Sequence, residues 1–262
     1  MPNPIVAVLR PYWQYRDLLL NLVIKDFKVR YQGAALGFIW SLGNPLALIA
    51  LYDIVFTHIF RSNLHHYVLY LVIGVLHFNL FAGSVTQSCE SLTGSAGLLQ
   101  KIYFPRILMP TASFLFNIML WSVAILVLVI CYPFLGGEYH WVLLLYPLML
   151  GMYMAFIWGL VIALSVLHVE FRDIKHLVEI AMMFLFWLTP IVYDPSTMHP
   201  DVRDVVDLNP LTQFFDLFHA ILYQGVLPGW NHLLYASAWT VISLAAGMSL
   251  FQRRARHVVE DL

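Results

Sequence analysis

Charge is scarce in this chain. Asp, Glu, Lys and Arg make up 11% of its 262 residues, against 61% hydrophobic residues and a mean hydropathy of +0.76. A soluble domain carries about 25% charged and roughly 45–50% apolar residues, so part of the solvent here has to be lipid. The formal net charge of −1 argues against a nucleic-acid-binding surface as the main function. Cysteine is scarcer still: Cys89 and Cys131 are the 2 present, too few for a disulfide framework. No G-x-x-x-x-G-K-[ST] phosphate loop occurs, since Gly94 and Gly97 have neither the spacing nor the lysine. ATP hydrolysis by that route is excluded for this chain. The donor-rich sets His168, Glu170, Asp173, His176 and His65–His66 lack the spacing of a zinc motif such as H-E-x-x-H. No G-x-S-x-G context frames a nucleophile. Neither metal nor cofactor is expected on this chain, and it is not expected to be an enzyme.

What the chain has instead is long apolar runs. Leu36–Phe60 contains 25 residues without Lys or Arg and with one carboxylate, Asp53. About 20 apolar residues in a helix cross a bilayer, so this is the first expected span. No uninterrupted apolar core precedes it, so no separate secretory signal is expected. Five more spans follow, at about 67–85, 111–134, 141–167, 177–193 and 233–251. The second is interrupted by Gly74, His77, Asn79 and Gly83 and is expected to bend or partly unwind.

Three stretches stay out of the hydrocarbon. Residues 1–35 hold a rhythmic segment, 12–31, in which Leu20, Ile24, Phe27 and Tyr31 share one stripe and Asp17, Asn21, Lys25 and Lys28 another. This fits an amphipathic helix lying in the membrane interface, or a soluble helix packed on another subunit. Residues 194–230 carry five aspartates and Pro195, Pro200, Pro210 and Pro228. They read as two short re-entrant or surface helices either side of Asn209–Pro210. Residues 252–262 form a basic tail. The expected class is thus an all-α integral membrane protein with six spans, an interface helix and short re-entrant helices before the last span.

Six spans place both termini on one side. That side holds Arg10, Arg16, Lys25, Lys28, Arg30, Lys101, Arg106, Arg172, Lys175, Arg253, Arg254 and Arg256. Only Arg61 and Arg203 of the 14 Lys and Arg residues lie opposite. The positive-inside rule makes the crowded side cytoplasmic. Asp53, deep in a span, is either a functional site or a carboxylate near the span's outer end, with His77 or His58 as possible partners. Tyr52, Phe56 and Phe60 on the first span, with Phe184 and Trp187 on the fifth, form aromatic stripes. These suit helix packing or a conduit for glycans.

The segments RYQGAALGFIWSLGNPLALIALYDIVF, LLQKIYFPRILMP, FRDI and LNPLTQFFDLFHAILYQG, in that order, resemble the permease subunit of ABC-type polysaccharide exporters. That group covers O-antigen (lipopolysaccharide), teichoic acid and capsular polysaccharide export. The likeness runs from about residue 25 to 254. It implies a homodimer in the bacterial inner membrane that binds two copies of a separate ATP-binding subunit, where ATP and Mg would reside. The cargo it implies is a polysaccharide linked to a polyprenyl diphosphate. By the same resemblance, Gln100, Lys101, Tyr103 and Arg106 dock the ATPase, flanked by Phe171, Arg172 and Asp173 and by Lys25, Asp26 and Arg30. Spans one and five would line the path with Tyr52, Asp53, Phe56, Phe60, Phe184 and Trp187. Arg10 and Arg16 would attract the lipid diphosphate. Alternatives are a permease for drugs or small lipids, a membrane-embedded transferase acting on polyprenyl-linked substrates, and a proton-driven transporter using Asp53.

Overall fold

The computed structural model describes residues 12–33, 64–195 and 198–255, with a few single positions between 39 and 55. Most of the first expected span therefore lies outside the described residues, and so do Arg10, Tyr52, Asp53, Phe56 and Phe60. The described residues are helical with no strand. In chain order the helices are α1 (Arg16–Tyr31), α2 (Tyr67–Cys89), α3 (Ala96–Leu99), α4 (Leu108–Cys131), α5 (Tyr146–Glu170), α6 (Ile174–Leu188), α7 (Pro200–Asp207), α8 (Pro210–His219) and α9 (Trp230–Arg254). Tight 3₁₀ turns extend α4 to Leu135 and begin the α5 span at Trp141. A π-helical turn carries α8 on to Gln224. Four of these segments are long and apolar enough to cross a membrane: Tyr67–Cys89, Leu108–Leu135, Trp141–Glu170 and Trp230–Arg254. The chain is a multi-pass membrane protein.

Helix ends follow local chemistry. Gly136 (φ 88°) and Gly225 (φ 67°) stop the α4 and α8 extensions in the left-handed region, where a side chain is strained. Pro200 and Pro210 open α7 and α8 at positions that need no backbone N–H. The Asn209 side chain caps α8 by accepting from Leu211 N at 3.0 Å.

In lipid, apolar helices gain little from hydrophobic association, so close approach and hydrogen bonds hold them. The α5–α9 pair shows this. A Cβ on Gly247 would run into the carbonyl oxygen of Gly159, and one on Gly159 would meet Ser243. Across the same seam, Ser243 Oγ donates to Phe156 O at 2.7 Å.

The expected bend in the second span is absent: α2 is continuous from Tyr67 to Cys89. Its glycines are contact points rather than breaks. A Cβ on Gly74 would lie 3.0 Å from Ile191 Cγ2 and 3.2 Å from its Cα, and one on Gly83 would lie 2.9 Å from Asn117 Oδ1. His77 is tolerated because both ring nitrogens have partners, Ile73 O at 2.7 Å and Tyr146 Oη at 2.9 Å.

A break does fall after α6, where the Thr189–Pro190 pair closes the short fifth apolar run. With 15 residues, α6 is about 22 Å long at 1.5 Å per residue, short of a hydrocarbon core of about 30 Å. Beyond Leu188 the chain leaves the helix, with Thr189 extended and bends through residue 193, and Thr189, Ile191 and Val192 are fully buried. Non-helical backbone at such depth needs internal donors, and α2 supplies them. Tyr67 donates to Val192 O at 2.9 Å, and the Tyr70 hydroxyl shares its proton between Pro190 O (3.0 Å) and Tyr193 O (2.9 Å). Thr189 Oγ1 in turn accepts from Asn209 Nδ2 at 2.9 Å. The segment is thereby locked between α2 and the start of α8.

α8 is almost wholly inside. Leu211, Phe214, Phe215, Leu217 and Phe218 are buried. The Phe218 ring stacks on His77 with centroids 4.0 Å apart, and His219 stacks on Tyr70 at 3.8 Å.

Candidate functional site

The basic residues gather at one end of the bundle, around a second hydrophobic cluster. Leu22 of α1, Leu92, Leu99 and Phe104 of the 90–107 loop, Leu108, Met109 and Ala112 of α4, Ile162, Val166 and Val169 of α5 and Phe251 of α9 build it. On α1, Leu22 is buried and Leu18, Leu19 and Val23 pack against this cluster, while Leu20 and Ile24 of the apolar stripe are exposed.

This cluster gives the 90–107 loop a rigid base. α3 follows a 3₁₀ turn at Thr93–Ser95, and Gln100 N and Ile102 N donate back to Ala96 O (3.0 Å) and Leu98 O (3.1 Å). Between the buried anchors Leu99 and Phe104 the tip projects outward. Gln100 and Lys101 are exposed, Ile102 is 53% exposed, Tyr103 is 97% exposed, and Arg106 is half-buried at the base. An aromatic and an aliphatic side chain held in water by buried neighbours have the make-up of a protein-contact surface.

Two ion pairs frame the loop. Lys175 Nζ lies 2.7 Å from Glu90 Oε1, and the Glu90 hydrogen bond raises the ammonium's pKa. Arg254 pairs with Glu170, joining the ends of α9 and α5. Phe171, Arg172 and Asp173, in the turn between α5 and α6, are exposed on the same end. The structure thus brings the Gln100–Arg106 tip and the Phe171–Asp173 turn to one end of the bundle, linked through Glu90 and Lys175. The α1 residues are less uniform. Lys25 and Asp26 pair with each other at 3.3 Å. Arg30 reaches inward: Nη1 donates to Gln87 Oε1 at 3.5 Å, and its guanidinium sits 5.7 Å from the Phe116 ring centre. Asn117 Nδ2 donates to the same Gln87 oxygen at 3.0 Å. Arg16 lies over the Trp13 ring at 5.3 Å and 3.8 Å from Asp17.

The second candidate surface is α6. Val178 is its one buried residue, while Leu177, Ile180, Met183, Phe184 (72%) and Trp187 (56%) are exposed. Phe184 and Trp187 thus lie on an open face of the chain, not in its core. Among the described residues no three His, Cys, Asp or Glu side chains converge as a metal site. Of the His168–His176 set, His168 is buried near the end of α5, while Glu170, Asp173 and His176 are exposed at the basic end.

Sequence reasoning passed over Glu90 and Lys175, which are 85 positions apart and share no short-range pattern. It also passed over Tyr67 and Tyr70. Their signal was available, since two tyrosines near the start of an apolar helix carry donors that a broken neighbouring segment requires.

Residues 17–223 match the model of the ABC-2 type transporter family. An O-antigen export system permease protein RfbA of Myxococcus xanthus is 28% identical over 259 residues, covering 98% of this chain and 100% of the relative. The protein of that name from Klebsiella pneumoniae is 29% identical over 253 residues, 94% of this chain and 95% of the relative. The polysialic acid transport protein KpsM of Escherichia coli is 20% identical over 243 residues, 89% and 92% of the two chains. With its apolar helices, its anchored loop and a family match over most of its length, the chain belongs to the ABC-2 type transporter family of membrane proteins.

Proposed function

We propose that this chain is the membrane-spanning subunit of an ATP-driven exporter that moves a lipid-linked polysaccharide of O-antigen type across the bacterial inner membrane. Relatives that match end to end are named for O-antigen export. The observation that carries the partner reading is the Lys101–Tyr103 tip, exposed on a buried base, in a chain without a phosphate loop of its own. A separate ATP-binding subunit would seat on that tip, with Gln100, Lys101, Tyr103 and Arg106 as its contacts and the Phe171–Asp173 turn beside it. Two copies of that subunit would serve a homodimer of this chain, and ATP and Mg would be held there.

In this reading the basic end is cytoplasmic, and the helices α7 and α8 enter from the outside. The four long segments, α6 and the apolar run 36–60 make six spans. The polysaccharide would pass along the exposed α6 face, with Phe184 and Trp187 offering aromatic surface to sugar C–H groups. Closure of the ATP-binding pair would push on the tip and shift the bundle as rigid bodies.

The test is co-purification from native membranes, followed by ATPase assays with a polyprenyl-diphosphate-linked glycan as the added substrate. The wild-type chain should retain an ATP-hydrolysing subunit whose turnover rises with that glycan. Lys101→Ala with Arg106→Ala should abolish the rise. Unchanged stimulation in that variant would refute the docking surface. Stimulation by hydrophobic drugs rather than glycan would reassign the substrate.

A further inference from the structure

α6 rests one partly buried side, Ile174, Met182, Leu185 and Phe186, on the main core, with the Phe186 ring 5.2 Å from that of Phe78 on α2, and its polar ties to other elements fall at its two ends. Val178 is its one buried residue. At the far end, Thr189 Oγ1 accepts from Asn209 Nδ2 at 2.9 Å, and the Tyr70 hydroxyl holds Pro190 O. At the basic end, the Lys175–Glu90 contact of 2.7 Å is the one ion pair joining α6 to another element among the described residues. His176 and Glu179 pair within α6 itself.

Glu90 is placed where α2 becomes the docking loop. Its backbone N–H donates to Ser88 O, and its carbonyl accepts from Gly94 N at 2.8 Å, closing the first turn of the loop. A movement of the loop therefore displaces the Glu90 backbone. Through its carboxylate it displaces the second residue of α6. The loop, α6, the non-helical segment after it and the capped start of α8 form one connected series: Gly94–Glu90–Lys175, along α6, then Thr189–Asn209.

We propose that the Glu90–Lys175 pair is the tie that makes α6 follow the docking loop, carrying a partner's push into the exposed α6 face and on to α8. This rests on the docking reading of the Lys101–Tyr103 tip. Both groups are positioning residues and neither touches cargo. With side chains 30% and 55% exposed, the pair adds little to stability, so its removal leaves the fold and partner binding intact. Coupling is what it costs.

The experiment reconstitutes the complete complex, permease with its co-purified ATP-binding subunit, in lipid vesicles. It measures partner retention, ATP turnover and export of a fluorescent polyprenyl-diphosphate-linked oligosaccharide. Glu90→Gln and Lys175→Met should each retain the partner and basal turnover, yet lose export by up to about fivefold, the most that an exposed pair of this kind can transmit. The exchanged pair E90K/K175E restores the attraction with its sign reversed, and should bring export to within about twofold of wild type if the two groups act on each other. Thermal unfolding of each variant guards against misfolding. Single variants that export normally overturn the tie, as does an exchange no better than the singles. Loss of the ATP-binding subunit from the singles also overturns it, by making the residues docking contacts. A wild-type chain that retains no ATP-binding subunit overturns the docking reading and the tie together.

Discussion

Tyr70→Phe removes one oxygen and nothing else from a hydroxyl that serves two carbonyls of the segment after α6. The ring stays, and with it the stack on His219 at 3.8 Å and the edge contact with Tyr223 at 5.4 Å. Lost is the proton shared between Pro190 O and Tyr193 O, 3.0 and 2.9 Å away. Thr189, Ile191 and Val192 around it are fully buried and Tyr70 is 5% exposed, so water does not replace the donor. A typical hydrogen bond contributes about 1 kcal/mol net, and a buried acceptor left bare costs about 1–3 kcal/mol. The expected loss is about 2 kcal/mol, or roughly 4–8 °C in midpoint for a chain of this size. Thermal unfolding in detergent micelles measures it. Hydrogen exchange localises it, with faster exchange expected at the Ile191 N–H, which donates to Thr189 O at 2.7 Å. Tyr67→Phe, which bares Val192 O, should act similarly. Tyr223→Phe, whose hydroxyl reaches His65 O at an exposed position, should cost well under 1 kcal/mol. Equal midpoints for Tyr70→Phe and wild type, with unchanged exchange over 189–193, would refute the clamp.

Two further outcomes are expected. Gly247→Ala should destabilise by about 1–3 kcal/mol, the cost of overpacking, because its methyl meets the Gly159 carbonyl. Gly151→Ala, with nothing within 4 Å of the new methyl, should be neutral or stabilise by roughly 0.5–1 kcal/mol; equal behaviour of the two in thermal unfolding would refute the close crossing. The Asp216 carboxyl is raised from 3.8 to about 7, first by burial and then by Asp207, with Arg203 opposing. It also faces His232 Nδ1 at 3.4 Å, a nitrogen that donates to Gln213 Oε1 at 2.9 Å. A raised carboxyl pKa means the folded chain holds a proton that the unfolded chain has released. Its contribution is thus full below about pH 4 and lost as pH rises towards 7. At 1.36 kcal/mol per unit the ceiling is about 4 kcal/mol. Asp216→Asn should flatten the dependence of midpoint on pH between 4 and 7; an unaltered profile would assign it to other groups.

The exposed loop tip at Gln100–Tyr103 and the α6 face were legible in unequal degree. Lys101, Tyr103 and Arg106 stood out because charge and Gly–Pro breaks interrupt an otherwise apolar chain, and such residues have few places to go but a membrane surface. What the tip stands on was not legible. Leu92, Leu99 and Phe104 look like any apolar residues until Leu22, Val166 and Phe251 arrive from distant parts of the chain. Phe184 and Trp187 were visible as aromatic spacing, but periodicity could not say whether that face was packed or open.

By itself the sequence determined the all-helical membrane class, the positions of the long apolar segments and the break at Asn209–Pro210. Apolar length, charge placement and proline are one-dimensional properties that act within a few turns of helix. The end of α6 before Thr189–Pro190 was also written in the sequence, since a proline takes the preceding residue out of the helix; tertiary structure alone decided that Gly74 and Gly83 would be contact points in an unbroken α2. It also decided that Glu90 would meet Lys175. The physical reason is the same in each case. A backbone group taken out of the helical ladder inside a membrane must find a donor, and a glycine is tolerated where another backbone fills its space. The residues that supply those donors and backbones lie on other helices, dozens of positions away.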